Sequence, residues 1–190
     1  MLKTYLWFFV LTGFFSVSVS AVCRGEAVPE VVWQCLESRH TLIRYQSERD
    51  LRKFNGRIQF RAERFIFSRL FSPLGAKDLA ATVTTKVDAL FERAQQILDM
   101  RRKIKKVTIN VYHDKKQLYE AYLGIYMRPC HVRAWYEYRF NTVYICINDM
   151  NEGMLAHEMA HAIIDHYLVV RPPPATAEIL ARYVDSHLKR

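Results

Sequence analysis

Leu155-Ala156-His157-Glu158-Met159-Ala160-His161-Ala162-Ile163-Ile164 (LAHEMAHAII) is the stretch on which the reading of this chain turns. It lies inside a helix predicted over about Glu152 to Tyr167, ended by Arg171-Pro172-Pro173-Pro174. On a helix, residues i and i+4 share a face, so His157 and His161 can each send a nitrogen to one Zn2+ at about 2.0–2.1 Å. Tetrahedral positions then stay open for a third ligand and a water. Glu158 lies beside that water. A metal lowers the pKa of bound water toward about 7, so a carboxylate can take its proton and leave hydroxide to attack a polarised carbonyl. The bare H-E-x-x-H pattern arises by chance about 0.015 times in a chain of this composition, so its setting has to support it.

The third ligand is narrowed by helix geometry. Asp165 continues the line of the histidines, but its Cα falls about 12 Å along the axis from that of His157. His166 points off that line. A second helix, predicted from about Pro174 to Leu188 with proline in its first turn, returns the chain and brings carboxylates with it. Glu178, about one turn into that helix, is the candidate ligand. Asp185, seven residues further on the same face, either receives the outer N–H of a zinc histidine or stands as a surface carboxylate.

Working outward, Thr142–Ile147 and Val132–Arg139 alternate around Phe140-Asn141 and read as an antiparallel hairpin. Val107–Tyr112 is β-branched and short, a strand; a short helix is expected near Lys116–Leu123. Thr41–Gln46 is β-prone. Ser47-Glu48-Arg49-Asp50 looks like a capping box opening a helix whose stripe is Leu51, Phe54, Ile58, Ala62 and Phe65. Ser72-Pro73-Leu74-Gly75 breaks that helix, and another runs from about Lys77 to Met100 with Val83, Val87, Leu90, Ala94 and Ile97 inward. Strands gathered between helical blocks, without βαβ alternation, predict an α+β domain: N-terminal helices, a small mixed or antiparallel sheet, the His157–His161 helix and a C-terminal helix.

Strand TVYICI, helix LAHEMAHAII, a proline turn and then AEILARYV (Ala177–Val184) resemble the gluzincin clan of zinc metallopeptidases, which includes thermolysin, and most of all its compact peptidase-MA-like members. The likeness covers about Thr142–Leu188 well and the preceding elements loosely. It implies a zincin-like fold, His157, His161 and Glu178 as zinc ligands and Glu158 as general base. It also implies that Val143, Tyr144, Ile145, Cys146 and Ile147 form the edge strand on which an extended peptide pairs. Two features depart from the clan. The Glu-Gly pair common at its third ligand is Glu178-Ile179 here, and the Gly-x-Met-Glu-Asn motif of the aminopeptidases is absent, which disfavours aminopeptidase activity. The residue that would stabilise an oxyanion is open among Tyr183, Tyr144, Tyr138 and His131. His40, His113 and His187 have no partner at ligand spacing and read as surface or capping residues.

With 190 residues, 51% apolar and 25% charged, the chain has room for one globular domain and is neither a disordered tail nor a polytopic membrane protein. Met1-Leu2-Lys3, the apolar run Tyr5–Val17 and the small residues Ser18–Ala21 read as an export signal over residues 1–21, leaving 22–190 as the folded domain, periplasmic or secreted. An uncleaved membrane anchor is the alternative. Cys23, Cys35, Cys130 and Cys146 then suit two disulfides, with neighbours Cys23–Cys35 and Cys130–Cys146 the preferred pairing. The net charge of +9 is concentrated in residues 44–106, the rest of the chain being neutral. That segment suits an anionic envelope surface or serves as the solvated face of two helices; no nucleic-acid motif accompanies it. The expected function is an exported zinc endopeptidase, hydrolysing a peptide or protein substrate through a zinc-bound water activated by Glu158. Its rivals are an inactive zincin-fold scaffold of the cell envelope and a protein without metal.

Overall fold

The Val107–Tyr112 strand (VTINVY) sends Val107, Ile109 and Val111 to one face, all completely buried, and Thr108, Asn110 and Tyr112 to the other. That period of two builds a sheet with helices on both sides. The computed structural model describes residues 32–60 and 78–188. In chain order these form β1 (Gln34–Glu37), β2 (Thr41–Tyr45), α1 (Glu48–Arg57), α2 (Leu79–Ile97), β3 (Val107–Tyr112) and α3 (Lys115–Tyr126). Then follow β4 (Ala134–Glu137), a 3-10 turn (Tyr138–Phe140), β5 (Thr142–Cys146), α4 (Glu152–Tyr167) and α5 (Pro174–His187). The export signal expected over 1–21, the Ser72–Gly75 break, Ala62 and Phe65 lie outside the described residues.

The sheet order is β1-β2-β3-β5-β4, parallel through β2, β3 and β5 and closed at each border by an antiparallel hairpin. The described residues are thus α+β, with five helices on a five-stranded mixed sheet. On one face Ile43, Ile109, Val143 and Ile145 pack under α1, α2, α4 and α5. On the other, Trp135, Tyr144 and Cys146 pack under Leu118 and Tyr122 of α3. Trp135 and Tyr144 stack with ring centroids 4.5 Å apart.

β1 carries no alternation in its sequence, and its reading was not available from periodicity. It forms because Asp88 of α2 holds the β1–β2 turn, accepting from Ser38 Oγ at 2.7 Å and from the backbone N–H groups of Arg39 and His40 at 3.0 and 3.1 Å. His40 is no surface residue: its ring stacks on Phe91 at 4.9 Å.

Ser47 caps α1 as expected, accepting from Asp50 N–H, but the helix ends at Arg57 rather than near Phe65. Ile58 turns extended and is fully buried, and Lys86 reaches from α2 to donate to Asn55 O at 3.0 Å and Ile58 O at 2.9 Å. The ammonium answers carbonyls that the terminated helix leaves without partners. Lys86→Met keeps the aliphatic stem and removes those bonds. It should lower unfolding free energy by about 1–2 kcal/mol, seen as a lower urea midpoint at constant slope. An unchanged midpoint would assign the helix end to packing alone.

The expected Cys130–Cys146 bridge is not formed. Both residues belong to the aromatic cluster beneath α3, yet both are free thiols, as is Cys35, whose expected partner Cys23 lies outside the described residues.

Candidate metal centre

α4 is the central helix of the domain. Asn151 caps it by accepting from Met154 N–H, and Leu155, Met159, Ile163 and the alanines at 156, 160 and 162 turn inward. The alanines let neighbouring elements approach closely. His157 and His161 are left on the one flank that faces α5, with about a fifth of each side chain exposed. Three prolines turn the chain, and α5 opens with Pro174 inside its first turn, where the missing N–H costs nothing.

This return brings Glu178 to the histidines. His157 Nε2 and His161 Nε2 are 3.2 Å apart, and Glu178 Oε2 lies 3.5 Å from the first and 3.4 Å from the second. A tetrahedral ion bound at about 2.0–2.1 Å spaces its ligand atoms about 3.3–3.4 Å apart. The three donors therefore make one face of such a tetrahedron. Two imidazole nitrogens and one carboxylate oxygen are a donor set that suits zinc and other borderline divalent cations.

Arg182, one turn along α5, donates to the other Glu178 oxygen at 2.8 Å, which leaves Oε2 for the imidazoles. Burial opposes ionisation of Glu178, but this bond and the two imidazoles outweigh it and hold the carboxyl below its usual range. Burial, reinforced by His157, pulls the His161 imidazole down to about 4, so the ring is neutral and carries a lone pair for a metal at neutral pH.

Glu158 lines the same groove as His157, His161 and Glu178 and is 8% exposed. Burial, with Glu178 adding to it, pushes its carboxyl up to about 8, against the pull of a hydrogen bond from the Tyr136 backbone N–H. A carboxylate held near neutrality accepts and returns a proton readily.

These groups floor a groove of about 730 Å3. One bank is Ala134, Trp135 and Tyr136 of β4; the other is Pro172, Pro173, Pro174 and Ala177. At one end Asp165 accepts from Tyr136 Oη at 3.2 Å and pairs with Arg171 Nε at 3.4 Å. Burial and that carboxylate push the Tyr136 phenol up, so it remains a donor.

Three expectations are corrected. Val143, Tyr144, Ile145, Cys146 and Ile147 are not at the border of the sheet: β5 is hydrogen-bonded to β3 on one side and β4 on the other, and all five of its residues are buried. The border strand beside the groove is β4. Asp185 is not beside an imidazole, because α5 runs back along α4 and two turns beyond Glu178 bring it level with the first turn of α4. There its Oδ1 would stand 2.1 Å from a Cβ added to Gly153. A carboxylate at a helix N-terminus is favourably placed, and only a glycine admits it so close. Finally, Tyr183, Tyr144, Tyr138 and His131 do not line the groove. Tyr183 stacks on His187, Tyr144 packs on Trp135 across the sheet, Tyr138 lies under Arg171, and His131 flanks a separate hollow beside α3.

The sequence reading missed Arg182, Arg171 and Tyr136. Arg182 had a signal, its i+4 spacing from Glu178; the other two have none outside the tertiary fold. His113 pairs with buried Asp50 at 2.7 Å, and His166 meets Asn141 Oδ1 at 2.8 Å, so neither joins the centre. No protein-family model, no curated protein and no solved structure matches this chain.

Proposed function

We propose that this chain is an exported zinc metallopeptidase, an endopeptidase that cleaves extended peptide segments laid in the groove between β4 and the proline turn. The observation that carries the reading is the triangle of His157 Nε2, His161 Nε2 and Glu178 Oε2, with edges of 3.2, 3.5 and 3.4 Å, next to a buried carboxylate. Those three residues would hold the ion, and a bound zinc supplies Lewis acidity toward a carbonyl and lowers the pKa of a water.

The remaining work falls to this chain's own groups. Glu158 takes the proton of the attacking water and later gives it to the leaving amine. Its burial raises its affinity for that proton, and Tyr136 N–H keeps it aimed. β4, at the open border of the sheet, offers backbone groups to an extended substrate by strand addition. Arg182 fixes the Glu178 carboxylate. The pattern of Met1–Ala21 supports export.

The test is metal content and hydrolysis measured together. The purified protein should carry zinc in equal molar amount, cleave an unfolded protein substrate within its chain, lose both properties on chelation and regain both on adding zinc. A protein that takes up no divalent ion ends the proposal; one that binds zinc tightly yet cleaves no peptide is a scaffold.

A further inference from the structure

Beyond the groove, one end of the domain is made of three loops that hold one another. Asn141, in the β4–β5 turn, donates through Nδ2 to Lys106 O at 2.8 Å. Arg102 donates to His166 O and Tyr167 O at the end of α4, at 2.6 and 3.2 Å, and its guanidinium lies over the Tyr167 ring. Arg171, in the α4–α5 turn, lies 3.9 Å from the Tyr138 ring centre. The 101–106 loop, the β4–β5 turn and the α4–α5 turn therefore form one continuous surface.

Val169 and Val170 are 99% and 79% exposed, and Phe140 and Tyr138 are 54% and 48% exposed. Single exposed apolar residues need no explanation, but four on two adjoining turns mark a surface built to meet something. Beside them, residues 98–106 hold five cations and one carboxylate, Asp99. Arg101, Lys103 and Lys105 are exposed and make no ion pair among the described residues, while Arg102 bonds only to neutral carbonyls. Carboxylates around this end are already paired: Glu92 with Arg39, Glu37 with Lys106, Asp165 with Arg171 and Glu137 with Arg139.

We propose that this end is a docking surface for an anionic phospholipid membrane, with Val169, Val170 and Phe140 entering the headgroup region while Arg101, Lys103 and Lys105 meet the headgroup phosphates. Charge complementarity alone would also suit a soluble polyanion. Such a polymer gives the valines and Phe140 nothing to bury in; a lipid surface accommodates both sets of residues. Among the described residues no helix is long and apolar enough to cross a bilayer. The inference does not depend on the metal centre, and it narrows the expected basic surface of residues 44–106 to the last part of that segment.

The test uses the full chain on vesicles of equimolar phosphatidylcholine and phosphatidylglycerol whose acyl chains carry bromine, a contact quencher of indole. Val169→Trp should add emission that is largely quenched. Glu48→Trp, at the other end of the parallel strands, should add emission that is not. Each cation near an anionic surface contributes about a five-fold gain in binding, so Arg101→Ala, Lys103→Ala and Lys105→Ala together should weaken docking about a hundred-fold and abolish the quenching of the Val169→Trp indole. The proposal is overturned if that indole is quenched no more than the Glu48→Trp one, if quenching is equal without phosphatidylglycerol, or if the triple substitution leaves it intact. Salt-sensitive vesicle binding without quenching at position 169 overturns it in favour of a soluble polyanion.

Discussion

Glu158→Gln is expected to keep the bound zinc and lose about 10²–10⁴-fold in hydrolysis. Glutamine has the same shape and still accepts the hydrogen bond from Tyr136 N–H, so the border strand and the groove should keep their form. What it lacks is a basic oxygen. None of the three donor atoms of the triangle belongs to residue 158, which is why zinc content should stay at one per chain. The measurement is kcat/KM on an unfolded substrate beside metal content of the same preparation. Wild-type turnover by the glutamine variant would remove Glu158 from the chemistry, and loss of zinc along with turnover would mean that residue 158 helps to hold the ion.

The second large effect belongs to the ligands. Structural zinc sites with four protein ligands have apparent binding free energies of about 10–16 kcal/mol; an even share of about 3 kcal/mol each predicts that losing one donor weakens binding roughly a hundred-fold. His161→Ala and Glu178→Gln should each do so, measured by competition with a chelator of known affinity. Asp165→Asn is the control. It lines the same groove and carries a similar charge, but it is bound to Tyr136 and Arg171 and is not a member of the triangle. Equal losses for Asp165→Asn and Glu178→Gln would show that the effect is general electrostatics of the groove and not coordination.

Much of this was legible in the chain. Val83, Val87, Leu90 and Ala94 of the expected stripe are fully buried, and the limits of β3 and α4 fall where β-branched content and the proline run put them. His157, His161 and Glu178 could be grouped because helix pitch and a short proline turn leave few ways to fold α5 on α4. The order of strands was not legible, since hairpin pairing says which strand lies beside which but not which of the two faces outward. A hint was present: Thr142–Cys146 is nearly continuous in apolar residues, the mark of a strand covered on both faces, while Ala134–Glu137 alternates between half-buried and buried. Asp185 was misplaced for a different reason. Sharing a helix face with Glu178 says nothing of the 10 Å or so of axis between them, which carries it past the imidazoles. The end of α1 depended on Lys86, thirty residues away in sequence, and no local pattern announces such a partner.

The bond from Arg182 to Glu178 bears on how the centre would fill and empty. Because one oxygen is tethered and the other already faces the two imidazoles, an arriving cation finds its donors in position and little of the chain has to be reordered. The apolar layer beneath α4 lies behind the donors and owes nothing to them. Chelation should therefore yield a folded, reloadable apoprotein, in contrast to the small domains that melt when their zinc is withdrawn.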